Sequence, residues 1–259
     1  MSPNKIIINA DDFGYNATVN RAIIKSFQRG LISSSSLMAN MPGFEDAIGL
    51  VREHPFLQGK LGIHLNLTEG YPLSAAIRAC PRFCHPSSGH FIYDRGASLF
   101  FLNAREQKAI YEELMAQLER VLSAGIRPSH LDSHHHIHTE WAIARLVARL
   151  GQAYGIRKIR LTRNMGQQKR GPKMLYKRIF NRWYLKGYAG IVAVDYFGDI
   201  RDWNFLQQTR PPAGKNIEIM VHPLFNEGGE LVDYDQQDLQ EQLGPVINLR
   251  NTISYTDLY

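Results

Sequence analysis

The segment Leu131–His138 reads LDSHHHIH, four histidines within five positions behind an aspartate, in a chain with 10 histidines in all. Hydrophobic packing has no use for such a concentration, whereas imidazoles and carboxylates are common ligands of divalent metals and common carriers of protons in hydrolysis. Three other segments hold residues of the same kind: NADDFG at Asn9–Gly14, GIHLNLT at Gly62–Thr68 and IMVHP at Ile219–Pro223. Asp11 and Asp12 directly follow an apolar run, where two adjacent carboxylates repel each other and lose solvation unless a cation compensates them. Neighbouring side chains diverge, so one carboxylate can bind a metal while the other faces a water beside it. The plainer alternative is that one aspartate caps the following helix and the other faces solvent.

These residues need a scaffold that brings four distant segments together. Short apolar runs alternate with stretches of helical period. Candidate strands are Lys5–Asn9, Ser35–Ala39, Leu61–Asn66, Ser129–Ser133, Lys158–Thr162, Ile191–Phe197 and Ile217–His222. Candidate helices run from Val19 to a cap at Gly30, and over Phe44–Glu53, Arg105–Ser123 and Glu140–Tyr154. The alternation predicts a mostly parallel sheet covered by helices, and the strand count favours a β/α barrel, complete or not, over an open doubly wound sheet. With 259 residues the chain fits one domain over 1–259. All four polar segments then fall at strand C-terminal ends, the rim where parallel barrels carry their active sites. No G-x-G-x-x-G follows the first strand and no Walker-type loop occurs, which removes the usual nucleotide-binding readings. Ser33–Ser36 is expected to be a loop-to-strand edge. Cys80 and Cys84 lack a second pair for a zinc site and are expected to be free thiols.

In order and spacing, NADDFG, GIHLNLT, HLDSHHHIH and VHP resemble the YdjC-like carbohydrate deacetylase family over roughly Ile6 to Pro223. The resemblance implies a distorted β/α barrel akin to polysaccharide deacetylases. It also implies one divalent metal ion held by Asp12, His64 and His134, with Asp11 as general base. His222 matches the family's histidine before proline, and Arg160 matches an arginine that orients or neutralises the base. The implied reaction is hydrolysis of an N-acetyl group on an amino sugar or oligosaccharide, either chitooligosaccharide-like or lipid-linked, with release of acetate. Spacing alone leaves His134 with His138 open as a ligand pair if a helix began at once. His136 and His138 are placed for sugar contact or support of ligands, His135 as a bystander, and Asp132 for orienting a histidine. Histidine ligands suit zinc, and a site that also keeps waters suits magnesium. Phe13, Tyr15, Phe91, Tyr93, Phe197 and Trp203 are candidates for stacking on a sugar or for core packing.

Two other classes compete. Asp and His clusters also build phosphoesterases, and a pI of about 9.3 would suit a phosphorylated substrate, but no G-D-x-x-D or G-N-H segment occurs. A metal-binding regulator gives no reason for the second aspartate. The positive charge is local: Arg157–Lys186 holds 11 Lys and Arg and no Asp or Glu, leaving 19 basic against 24 acidic residues elsewhere. Within 173–186, apolar and aromatic residues recur at helical spacing among Lys177, Arg178, Arg182 and Lys186. Such a segment is either a barrel helix with a solvated basic face or a helix lying on an anionic membrane. The expected partner is an N-acetylated sugar, not nucleic acid. No apolar stretch reaches the roughly 18–20 residues of a membrane span, and no signal-peptide core precedes the first strand. The expectation is a cytoplasmic protein, peripheral to the inner membrane face under the membrane reading.

Overall fold

Ile6, Ile7 and Ile8 are completely buried, the mark of a strand covered on both faces. In the computed structural model, which describes residues 4–93, 101–165, 172–185, 190–208, 213–247 and 251–259, they belong to β1 (Lys5–Phe13) at the middle of a parallel sheet. Its other strands are β2 (Ser34–Leu37), β3 (Leu61–Leu65), β4 (Leu131–Ser133), β5 (Tyr196–Asp199) and β6 (Asn216–Val221), in the order β4-β3-β2-β1-β6-β5. The open edges β4 and β5 are joined by the segment around Arg160. Leu131 N–H donates to Lys158 O and Arg160 N–H to Leu131 O, while on the far side Ile159 N–H donates to Val192 O and Val192 N–H to Arg157 O. The curled sheet thereby closes into the distorted barrel expected from the sequence. The expected strand Lys158–Thr162 pairs only through isolated bridges, because after Leu161 the chain leaves the sheet and Thr162 N–H turns to the Asn181 carbonyl instead. For the same reason β5 starts later than expected and its ladder is with β6 alone.

Four of the first five helices fall where the period placed them, and the short third was not expected. The five are α1 (Ala17–Gln28), α2 (Phe44–Glu53), the short α3 (Ala75–Arg78), α4 (Ala104–Ser123) and α5 (Trp141–Ala153). Asn16 caps α1 by accepting from Thr18 and Val19 N–H, and Asn103 with Glu106 forms a capping box on α4. The chain continues through α6 (Pro172–Ile179), a π-helical turn at Phe180–Leu185, α7 (Ile200–Gln208), the hairpin β7 (Leu224–Phe225) and β8 (Leu231–Val232), and α8 (Leu239–Ile247). Of the expected basic helix over 173–186, Lys186 and the side chains of Lys173 and Trp183 lie outside the described residues. Among the described residues no helix is long and apolar enough to cross a membrane.

The apolar core lies between sheet and helices, so the space inside the barrel is left to polar groups. Ser33–Ser36, expected as a loop-to-strand transition, passes into the interior strand β2 at Ser34. Ser35 donates to Ala10 O and Ser36 to Asp132. Phe13, Phe91, Phe197 and Trp203 are buried core residues, so of the stacking candidates Tyr15 and Tyr93 reach the cavity. Low in the barrel, His130 stacks on Tyr255 with ring centroids 3.7 Å apart. A Cβ at Gly62 would come within 2.3 Å of the His130 ring, and that ring cannot retreat from Tyr255. Gly62→Ala is therefore expected to destabilise the fold by about 1–3 kcal/mol through overpacking, measured by urea denaturation.

Candidate metal and catalytic site

In an even strand Asp11 and Asp12 would point to opposite faces. β1 instead carries an irregularity between Ala10 and Phe13 where its pairing register with β2 shifts. Asp12 sits there at φ +69°, a left-handed conformation unusual outside glycine and tolerated mainly where surrounding structure enforces it. The bulge turns both carboxylates towards His64 of β3. His64 Nε2 is 3.2 Å from Asp12 Oδ1 and 3.9 Å from Asp11 Oδ2. The expected divergence of the pair is thus smaller than regular strand geometry gives. Gly14 completes the DDFG segment at φ +91°, and a Cβ there would lie 2.7 Å from the Met38 carbonyl oxygen.

The two aspartates have different partners. Asp12 Oδ1 faces both His64 Nε2 and His134 Nδ1, the latter at 2.8 Å. Asp11 is nearly fully buried and gripped by Arg160, whose two terminal nitrogens donate to its two oxygens at 2.7 Å each; Asn9 donates to Oδ1 as well. Both histidines are also backed by carboxylates on their far nitrogens. His64 Nδ1 lies 2.8 Å from Asp132 Oδ1, and His134 Nε2 lies 3.5 Å from Glu69 Oε1. The second contact is long, and His134 Nε2 makes no hydrogen bond. Asp132 therefore orients His64, which the sequence left unassigned among the histidines.

Electrostatics follow from crowding. Burial favours neutral rings, but the Asp132 and Asp11 charges raise His64 to about 10. Burial likewise opposes charge on His134, but the hydrogen bond to Asp12 and the Glu69 carboxylate on its far side carry it to about 9. Asp12 is held well below the carboxylate range: burial pushes it up, and the two histidines outweigh that. The cluster attracts positive charge in any form. The donor atoms of Asp12, His64 and His134 lie within 4.8 Å of one another, a mixed carboxylate and imidazole set that fits a divalent cation such as Mg or Zn.

The turn His134–Thr139 leaves β4 with His135 and His136 at φ +51° and +54°. This kink is no α-helix and removes the His134 with His138 alternative. His138 is fully buried with Nδ1 2.5 Å from Ser133 Oγ, where it braces the turn. His136 lies on the cavity with its ring edge towards Phe197, 5.6 Å between centroids. His135 reaches the rim, 3.0 Å from Thr68 Oγ1 and 3.8 Å from Glu69. His222, after β6, opens on the same cavity, with its ring edge against Tyr234 and its backbone N–H donating to Asp233 Oδ1 at 2.6 Å. Burial pushes the Asp233 carboxyl up to about 6, against the pull of that N–H. The cavity, about 760 Å³, is thus bordered by Asp11, Asp12, His64, His134 and His222.

Sequence reasoning missed the groups below and beside these. Arg160 Nε donates to Glu218 at 2.7 Å and Nη1 lies 2.9 Å from Asp132. Tyr255 O–H donates to the other Glu218 oxygen at 2.5 Å. Burial raises Glu218 to about 7, against the pull of Arg160 and Tyr255. Glu69 directly follows GIHLNLT and was legible as an extension of that segment; no local pattern marks Glu218, Asp233, Tyr234 or Tyr255.

A parallel barrel with a polar interior and its Asp and His side chains at the C-terminal rim defines the class. Residues 5–252 match the family described as YdjC-like protein, and the chain belongs to that family. A carbohydrate deacetylase of Geobacillus stearothermophilus is 42% identical over 227 residues, 86% of this chain and 80% of that protein. One from Brevibacillus brevis is 41% identical over 152 residues, 59% of this chain and 57% of its own length; a Vibrio campbellii relative is 36% identical with the same coverage. The chain thus spans less than two thirds of the length of several curated relatives it matches. An Enterococcus faecalis structure, assigned only by inference to cellobiose-phosphate cleavage, superposes with a TM-score of 0.72 over 98% of both chains at 23% identity, which establishes the fold.

Removing Arg160 would leave Asp11, Asp132 and Glu218 facing one another without their cation. Arg160→Met is expected to cost about 3–5 kcal/mol near neutral pH. In wild type the lowered Asp132 stays ionised from pH 7 to pH 5 and adds no pH dependence there, and only the raised Glu218 takes up a proton; without Arg160 both carboxyls are raised, so the variant gains more stability than wild type as pH falls over that range. The gap between wild type and variant should narrow from pH 7 to pH 5 in parallel denaturant titrations, and a constant gap would refute this account.

Proposed function

We propose that this chain hydrolyses the N-acetyl group of an amino sugar or oligosaccharide, releasing acetate and the free amine. One divalent cation, Mg or Zn, would be held by Asp12, His64 and His134. The observation that carries the reading is the division of labour between the adjacent aspartates: Asp12 lies close to two imidazoles, while Asp11 has both oxygens held by Arg160, stays 3.9 Å from His64 Nε2 and borders the same cavity. The carbohydrate deacetylase relatives support the choice of reaction.

An amide is a poor electrophile, so its hydrolysis needs an activated water, a stabilised carbonyl oxygen and a proton for the departing nitrogen. A divalent cation at this site supplies Lewis acidity towards both water and carbonyl. Asp11 takes the proton from the attacking water. Arg160 fixes the direction of that carboxylate through two parallel hydrogen bonds. Asp132 holds the proton of His64 on Nδ1 and so presents the Nε2 lone pair to the cavity. As the new C–O bond forms and the C–N bond breaks, His222 in its protonated form donates to the nitrogen. Asp233 and the Tyr234 ring position His222 for that step.

Asp12→Ala, His64→Ala and His134→Ala are each expected to lose bound metal, by elemental analysis, together with acetate release. Asp11→Asn should keep its metal while turnover falls by about 10²–10⁴, the usual weight of a general base. His222→Ala should behave like Asp11→Asn. Metal loss in Asp11→Asn would mean the aspartates are assigned the wrong way round, and full acetate release by metal-depleted His134→Ala would sink the mechanism. The alternative, a metal-dependent phosphoesterase, predicts chelator-sensitive phosphate release in place of acetate.

A further inference from the structure

The basic segment does not resolve into a buried barrel helix. Phe180 and Leu185 are buried, and Tyr184 stacks on Trp141 at 4.4 Å with its hydroxyl donating to Trp141 O. On α6 itself, Leu175, Tyr176 and Ile179 are 61%, 40% and 48% exposed. At spacings of one, three and four residues they share one face of the helix. The change from α6 to a π-helical turn at Phe180 alters the angular step per residue. An even stripe in the sequence thereby divides into a docked half and an outward half. Arg178 and Arg182 are exposed beside the outward half.

The position of this face matters more than its composition. Asn181 accepts from the N–H and hydroxyl of Thr162, two residues beyond Arg160. Trp141, on which Tyr184 stacks, opens α5 directly after the turn carrying His134–Thr139. Both anchors lie at the C-terminal rim of the barrel, the end on which the cavity opens. A solvated charged face would not need three exposed apolar side chains, and an ordinary protein partner would not call for Lys177, Arg178 and Arg182 beside them with no acidic residue over 172–186. Apolar side chains flanked by cations fit the interface of an anionic bilayer, where the former enter the acyl boundary and the latter meet phosphate headgroups.

We propose that α6 docks this protein on an anionic phospholipid surface, with the cavity at the membrane and the substrate an N-acetylated sugar on a lipid carrier. The choice of substrate rests on the deacetylase reading; the docking does not. The test is cosedimentation of the full chain with vesicles of equal parts phosphatidylglycerol and phosphatidylcholine, against phosphatidylcholine alone, at low and high salt. Binding is expected on the anionic vesicles only and should weaken with salt. Arg178→Gln should lower partitioning about fivefold. Leu175→Ser combined with Ile179→Ser should lower it at least roughly tenfold, with unchanged circular dichroism. Protein left in the supernatant with anionic vesicles at low salt overturns the docking, and so does a double variant that binds like wild type. Acetate release from soluble N-acetylglucosamine oligomers, measured without vesicles, separates the two readings. Release without vesicle binding defeats the docking alone, whereas vesicle binding without release, from soluble or vesicle-borne substrate, defeats the deacetylase reading and leaves the docking in place.

Discussion

The cation of Arg160 inside the barrel is the constraint on which the rest of the structure turns. It bonds Asp11 from β1, Glu218 from β6 and lies within ion-pair distance of Asp132 from β4, and its guanidinium carbon sits 4.8 Å from the centre of the Phe197 ring of β5. One side chain therefore ties together strands from both edges and the middle of the sheet. Three carboxylates in a space without water would expel one another; the arginine makes their confinement tolerable and draws the curled sheet around itself. The segment that carries it closes the barrel through only a few backbone bonds. Side-chain charge supplies cohesion where the ladder is short.

This polar column has a top and a bottom with different duties. At the bottom, His130 stacks between Gly62 and Tyr255, and burial drives it down to about 3. A neutral ring is what Arg160 and the barrel interior require there. Tyr255 reaches Glu218 and also lends its backbone carbonyl to Lys158, so the C-terminal residues plug the barrel under the site. At the top the same column meets the bulge in β1. A backbone irregularity is the least costly way to aim two neighbouring carboxylates at one imidazole, and the cost in conformational strain at Asp12 is borne by a strand anchored on both sides.

The sequence announced the strands and helices with strong period, because a strand buried on both faces must be apolar and a covering helix must repeat its apolar residues. Ile6–Ile8, Phe44–Glu53 and the helix beginning near Arg105 were legible for that reason. Asp11 and Asp12 stood out as paired charges after an apolar run and the 134–138 histidines by their density, while the choice of His64 and His134 as ligands rested on the family resemblance. The strand expected at Ser35–Ala39 begins one residue earlier and ends at Leu37, and its small hydroxylated residues, which resemble a loop's, leave room in the barrel for Asp132 and His64. The closing strand was placed but drawn too regular, because its pairing depends on residues distant in sequence. Glu218 and Tyr255 gave no sign: their meaning lies in contacts with Arg160 from far along the chain, and no local window contains both partners.

The cavity joins two kinds of wall, and the two are held with different rigidity. Asp11, His64 and Asp132 stand on strands and are almost without solvent contact, so their geometry is fixed by the barrel. Glu69, His135, Tyr15 and Tyr234 come from the loops and turns above them and are at least partly exposed. A change in the first group disturbs buried charge and hence folding; a change in the second acts at the mouth of the cavity, on what it accepts and on the histidines it borders. Selection on substrate would then act mainly on the rim. The basic helix, anchored on that rim through Asn181 and Trp141, belongs to the same adaptable layer.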